Sequence, residues 1–160
     1  MQFTQSVSYP GTVDEVVAMY LTPAYLERRF GQFVVEGSQA VSVEGERVSF
    51  AGTVRPELIP AAAARFVKSD LRISFTEEWA RDEAGATSRT SVTVDDAPVS
   101  VEATSTLAPA DAGSVRVVTG NVSVRIPLLG GRIEKEAVAH LGRVVERERE
   151  LAATWLAEHR

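Results

Sequence analysis

The chain contains no cysteine among its 160 residues. This absence excludes disulfides, cysteine nucleophiles, thiolate zinc sites and iron–sulfur clusters. Histidine is scarce too: His140 and His159 are the only two, and a metal site normally needs three or more protein ligands. We therefore predict neither a metal nor a cofactor.

The chain also has no excess of positive charge and no long apolar run. The 17 basic residues are outnumbered by 22 acidic ones, for a net charge of -5, which argues against a nucleic-acid partner. No window approaches the ~20 apolar residues of a membrane span. Residues 1–8 alternate polar and apolar side chains, unlike a signal peptide. We expect a soluble, cytoplasmic protein.

The chain does have enough apolar residues, 44%, to bury the core of one domain spanning residues 1–160. Alternating apolar residues predict seven strands, and helical spacing with start signals predicts four helices. The predicted strands are 2–9, 33–43, 48–54, 71–79, 87–94, 99–107 and 115–126. The predicted helices are 13–20, 23–30, 61–67 and 133–158.

The order of these elements predicts an α+β fold. Most connections between strands are short, which favours antiparallel neighbours. A sheet that must bury one face usually does so against a helix, and only the last helix is long enough here. We therefore predict a curved antiparallel sheet wrapped around the C-terminal helix, with two short helices after the first strand. A cavity could form between the sheet and the long helix.

Three segments carry a resemblance to a known superfamily: residues 7–17 (VSYPGTVDEVV), 76–79 (TEEW) and 127–134 (PLLGGRIE). With the element order, they resemble the START-like (SRPBCC) superfamily, which has the helix-grip fold of pollen allergens and polyketide cyclases. The chain is most similar to a bacterial branch of unknown function. The resemblance implies a deep apolar cavity for a hydrophobic small molecule or lipid. It carries over no catalytic residue.

The last helix has an apolar stripe that contains one carboxylate. At about 100° per residue, one face carries Ile133, Ala137, Leu141, Val144, Leu151 and Trp155. Glu148 falls near the middle of that face, where an ionised carboxylate would lose much of its hydration. Glu148 is either a polar anchor or acid–base group of the cavity, or a structural residue paired with an arginine of the sheet or turned aside by Gly142.

Glu77 is a second carboxylate that could face the interior, because on its predicted strand it is in phase with Ile73, Phe75 and Trp79. It points inward, unless this is an edge or a bulged strand end where the phase is lost. If Glu77 and Glu148 both face the cavity, they could form a carboxylate pair for acid–base work.

Several other side chains are candidates for the cavity wall. His140 lies at the margin of the apolar stripe. Its side chain either contacts the ligand or is exposed to solvent. The aromatic residues are core, or in part pocket lining, where a tyrosine hydroxyl would orient a ligand. The remaining candidates are Tyr9, Phe50, Phe75, Trp79, Leu141, Val144, Leu151 and Trp155.

Three functions remain open. The first is a binding module that holds a hydrophobic or amphipathic small molecule, lipid or polyketide-like, with Glu148 and Tyr9 setting its orientation. The second is a cyclase, hydratase or hydrolase in which Glu148, with Glu77 or His140, moves protons. The third is a partner-binding or chaperone-like domain with a packed interior.

Overall fold

The computed structural model describes residues 1–67 and 69–160. It confirms the predicted fold class: an α+β protein with a curved antiparallel sheet and a long C-terminal helix. The strands are β1 (Gln2–Tyr9), β2 (Ala40–Glu44), β3 (Arg47–Thr53), β4 (Arg72–Asp82), β5 (Gly85–Val94), β6 (Val99–Ala110) and β7 (Gly113–Val124). The helices are α1 (Val13–Tyr20), α2 (Pro23–Gly31), α3 (Ala61–Ala64) and α4 (Gly130–Glu158).

The sheet order is β1-β7-β6-β5-β4-β3-β2, with every neighbouring pair antiparallel. Consecutive strands are neighbours except β1, which pairs with β7 from the other end of the chain. The sheet is therefore a continuous meander from β2 to β7, joined at its far edge by the first strand. Among the described residues, no helix is long and apolar enough to cross a membrane.

The predicted strand over residues 33–43 is only half correct. Gly37 has a φ of +81°, a conformation that glycine adopts without steric cost, and it turns the chain before β2 begins at Ala40. Val34 is buried and makes one isolated bridge to Val54. Its side chain packs directly over Gly52 of β3, where a Cβ would lie 2.8 Å from Val34 Cγ1. The apolar run 33–35 thus packs on β3 and pairs with the sheet only through this one bridge.

Helix α4 is held mainly near its two ends. Near its start, Ile133 packs against Val122 and Val124 of β7, and near its end Trp155 and Leu156 join the core of α1 and α2. The intervening residues 139–144 are exposed apart from half-buried Leu141.

The predicted inward stripe of α4 is wrong at Val144, which is 41% exposed. Val145 packs against the core in its place. The two ends of α4 rest on different neighbours, so no single straight stripe of side chains faces the interior along its whole length.

Candidate functional site

A group of charged side chains lies inside the protein, between the sheet and helices α2 and α4. Glu77 of β4 and Arg116 of β7 are 1% and 3% exposed. Arg29 near the end of α2 and Glu148 of α4 are largely buried beside them. We call these four residues and Tyr9 and Tyr20 the polar core.

Glu77 lies in regular β4, opposite Val48 and Thr90, and not in a bulge. Its Oε1 accepts hydrogen bonds from Arg116 and, at 3.0 Å, from Thr90 Oγ1. Burial alone would raise the pKa of Glu77, but the charges of Arg116 and Arg29 outweigh it and hold that pKa below its ordinary value. Glu77 is therefore ionised at neutral pH.

Arg116 is fixed by two serines and two aromatic rings. Its Nε donates to Ser105 Oγ at 3.0 Å and its Nη2 donates to Ser88 Oγ at 3.1 Å. The guanidinium carbon lies 4.8 Å from the ring centroids of both Tyr20 and Trp79. These cation–π contacts and hydrogen bonds replace the water that a buried guanidinium loses.

Arg29 connects the two carboxylates that the sequence singled out. Its Nη2 lies 3.0 Å from Glu148 Oε1, and its Nη1 lies 3.6 Å from Glu77 Oε2. At that longer distance, neither Nη1 nor Oε2 has a hydrogen-bond partner among the described residues. Glu77 and Glu148 thus share a guanidinium instead of a proton, which does not favour the predicted acid–base pair.

Two tyrosines extend the polar core toward β1. The Tyr20 hydroxyl donates to Glu148 Oε1, so the Tyr9 hydroxyl donates to Tyr20 in turn, each across 2.5 Å. Burial, reinforced by the charge of Glu148, raises the pKa of Tyr9 to about 12 and raises the pKa of Tyr20 well above its ordinary value. Both phenols are neutral donors at physiological pH.

The polar core opens to solvent through a groove between the end of α2 and the middle of α4. One depression of about 80 Å³ is bordered by Arg29 and Glu148, and an adjoining one of about 320 Å³ leads outward. Both are lined by Phe33, Val144 and Arg147. The inner depression is also lined by Phe30, Gln32 and Leu151, and the outer one by Arg143. We call the two depressions together the α2–α4 groove.

The structure brings together some of the predicted site residues but not others. Tyr9, Glu77 and Glu148 lie in the polar core, with Trp79 stacked on Tyr20. Val144 and Leu151 line the groove.

The other candidates neither belong to the polar core nor line the groove, although the centroid of the Phe75 ring lies 5.3 Å from the guanidinium carbon of Arg29. Phe50 and Phe75 pack with Phe30 in a neighbouring cluster. Trp155 packs on Tyr25 and His159 at the far end of α4, Leu141 is half-buried, and His140 is exposed.

The sequence alone did not point to Arg29 and Arg116, the cations of the polar core. On β7, Val115 and Val117 lie on the face opposite Arg116, whereas Val118, Val122 and Val124 share its face, so the apolar pattern selects neither face. Val117 is 38% exposed on the outer face, whereas Arg116 points inward. The only signal was indirect: a buried Glu77 requires a cation, and β7 supplies it across two intervening strands.

Within residues 1–67 and 69–160, no group of three or more His, Asp or Glu side chains is arranged to hold a metal ion.

Comparison with known proteins identifies the fold and the family. A family model described as a protein of unknown function (DUF2505) matches residues 4–156. Uncharacterized protein Rv0481c of Mycobacterium tuberculosis is 25% identical over 169 residues, covering 98% of this chain and 97% of the relative.

Solved structures with little sequence identity share the architecture. A conserved protein from Geobacillus kaustophilus has a TM-score of 0.60 at 16% identity, covering 99% of this chain and 96% of that one. Ara h 8.0201 has a TM-score of 0.59 at 11% identity, covering 99% and 98%. The chain thus belongs to the DUF2505 family and has the helix-grip fold.

Proposed function

We propose that the protein binds a hydrophobic or amphipathic small molecule, lipid or polyketide-like, in the α2–α4 groove. The observation that carries the proposal is an apolar-walled groove that ends on the Arg29–Glu148 ion pair. Small-molecule sites are mostly apolar with a few well-placed polar groups, and the outer depression of about 320 Å³ is within their usual size range.

The location differs from the cavity that the resemblance implies. Near the middle of the sheet, the space facing the helices contains the polar core and the rings of Tyr20, Tyr25 and Trp79, all of which are buried. A ligand would therefore lie against the outer side of the polar core, with its apolar part over Phe30, Phe33 and Val144. Burial of its apolar surface would supply affinity at ~25 cal/mol per Å².

The polar core gives this function a physical rationale. Arg29 has one unpartnered donor, Nη1, and Glu77 one unpartnered acceptor, Oε2, within the part of the chain that the structure describes. Both atoms are enclosed by the protein, so a ligand at the inner end of the groove would instead meet Arg29 and Glu148, which line the inner depression. The polar core would then orient a mostly apolar ligand.

The first test compares two exposed valines. Val144 in the groove is 41% exposed and Val117 on the outer face of β7 is 38% exposed. The neutral dye Nile red is titrated into the natural protein, Val144→Asp and Val117→Asp. A charge on the apolar wall should weaken binding about tenfold or more for Val144→Asp, equivalent to ~1.4 kcal/mol. Val117→Asp should bind like the natural protein.

The second measurement is mass spectrometry of molecules that co-purify with the protein from its native host. A stoichiometric apolar compound that is present with Val117→Asp and absent with Val144→Asp would support the proposal. Equal dye affinity in all three proteins, together with a ligand-free native protein, would contradict it and favour the partner-binding alternative. Turnover of the compound that is lost in Glu148→Gln would instead favour the enzyme alternative.

A further inference from the structure

The outer rim of the α2–α4 groove carries two positive charges that are not neutralised. Arg143 and Arg147 are one helical turn apart on α4, and both are exposed. Like charges at this spacing destabilise a helix slightly. Among the described residues, no carboxylate oxygen lies within 4.0 Å of either guanidinium.

Nearby arginines of the same helix are paired. Arg149 forms an ion pair with Glu146, the acidic residue three positions after Arg143. Arg132 lies 3.6 Å from Glu136. Arg143 and Arg147 are thus neighbouring arginines of α4 whose guanidinium groups have no carboxylate partner among the described residues.

These two arginines flank an apolar surface. Phe33 and Val144 complete the lining of the outer depression, and Leu151 and Phe30 continue it inward. At the inner end, the charge of Arg29 is matched by Glu148 at 3.0 Å. The excess positive charge is therefore confined to the rim, and the apolar surface lies between the rim and the polar core.

We infer that the ligand is a single anionic amphipath. Its carboxylate or phosphate group lies between Arg143 and Arg147, and its apolar chain runs over Val144 and Phe33 toward Phe30. Guanidinium groups suit both kinds of anion because their paired N–H donors match the oxygens. An inorganic anion would leave the apolar surface unused, and a neutral lipid would leave the arginines unpaired. This inference rests on the proposed function and specifies its ligand class.

The test uses three probes with the same alkyl chain: dodecanoate, dodecan-1-ol and dodecyltrimethylammonium. Each is titrated as a monomer into the natural protein by calorimetry at low and high salt. Dodecanoate should bind at least about tenfold more tightly than dodecan-1-ol at low salt, and this advantage should shrink at high salt because the rim is solvent-exposed.

Two double variants distinguish an effect of the rim arginines from an effect of the protein's overall charge. Arg143→Gln with Arg147→Gln should abolish the advantage of dodecanoate over dodecan-1-ol. Arg89→Gln with Arg125→Gln removes the same charge from exposed positions that do not line the groove, and it should keep the advantage.

The outcomes distinguish the two proposals. If dodecan-1-ol or dodecyltrimethylammonium binds as tightly as dodecanoate, the anionic assignment is wrong while the groove remains a binding site. If none of the three probes binds, both proposals fail. Binding to phosphatidylglycerol vesicles that depends on Arg143 and Arg147, without binding of monomeric dodecanoate, would also overturn the inference and assign the rim to a membrane surface.

Discussion

Tyr20 is the side chain on which most contacts of the polar core converge. Its hydroxyl joins Tyr9 to Glu148, while its ring stacks on Trp79 and lies beside both Arg29 and Arg116. A residue at the end of α1 therefore contributes both a hydrogen bond and a π face to the same cluster. Its neighbour Tyr25 is equally buried, but among the described residues its hydroxyl has no hydrogen-bond partner.

This contrast gives a prediction for matched substitutions. Tyr20→Phe should lower the free energy of unfolding by about 1–3 kcal/mol, because it leaves the Tyr9 hydroxyl without an acceptor and removes a donor from Glu148. Tyr25→Phe should be neutral or slightly stabilising, because it removes a buried hydroxyl that gains no bond on folding. Urea denaturation of both variants measures the difference. Equal losses would contradict these hydrogen-bond assignments.

At the scale of single residues, the sequence periodicity predicted correctly which way some side chains point and misled for others. Glu77 and Glu148 could be singled out because a carboxylate in phase with apolar neighbours is conspicuous. Arg29 and Arg116 could not, because a pattern within one element does not show which charge another element supplies. In β7 the valines lie on both faces, Val115 and Val117 outside and Val122 and Val124 inside, so the local pattern did not decide where Arg116 points.

Helix α4 differs along its length in how closely its backbone approaches the rest of the protein. At Gly130, an added Cβ would lie 2.1 Å from the Val124 carbonyl oxygen. At Gly142, an added Cβ would meet no atom within 4 Å among those that the structure describes. The first glycine permits the strand-to-helix connection, whereas the second only weakens the helix.

The two glycines predict opposite results for the same substitution. Gly142→Ala should raise the free energy of unfolding by about 0.5–1 kcal/mol, because alanine loses less conformational entropy in a helix. Gly130→Ala should lower it, because the Cβ would collide with backbone. Thermal unfolding followed by circular dichroism measures both shifts. A stabilising Gly130→Ala would contradict the close approach of α4 to β7.

Element boundaries were predicted well where turn residues coincide with a change of pattern. Thr12 stands three residues before Glu15, the spacing of a capping box, and accepts a hydrogen bond from the Glu15 amide at the start of α1. Thr22 stands just before α2, but its hydroxyl donates to the Ala18 carbonyl and does not cap the helix. The overextended strand before β2 reflects packing of Val34 on Gly52, a tertiary contact that no local pattern contains.

At the scale of the whole molecule, the four charged residues of the polar core tie four separate elements together. β4, β7, α2 and α4 each contribute one charged residue. Two carboxylates balance two guanidinium groups, so the interior carries little net charge. Removing one member of a buried pair leaves an uncompensated charge and typically costs about 3–5 kcal/mol.

This balance predicts how stability depends on pH. Because the pKa of Glu77 is lowered on folding, its ionised form stabilises the protein above the unfolded value of about 4.3, and that stability is lost as the pH falls through the lower folded pKa. Glu77→Gln should therefore be destabilised most at neutral pH. The gap in free energy of unfolding between Glu77→Gln and the natural protein should narrow below about pH 4.

Urea denaturation across this pH range measures the gap. Glu146→Gln is the control, since Glu146 pairs with Arg149 on the exposed surface of α4 and its loss should change unfolding little at any pH. A gap that stays constant with pH would mean that Glu77 is not ionised in the folded protein.

The architecture itself was predictable, because it follows from element order, short connections and the presence of one long helix. The placement of the groove was not. It depends on where α4 leaves the core, and the two ends of that helix pack on different neighbours.

The two-ended support of α4 also bears on how the protein could change over evolution. Residues that secure the fold lie near the ends of the helix, whereas the exposed segment 139–144 carries little of the core. Substitutions in that segment, which includes the groove positions 143 and 144, can alter the shape and charge of the groove at small cost in stability. Under the proposed function, a few changes on one helix would therefore suffice to alter which ligand the groove prefers.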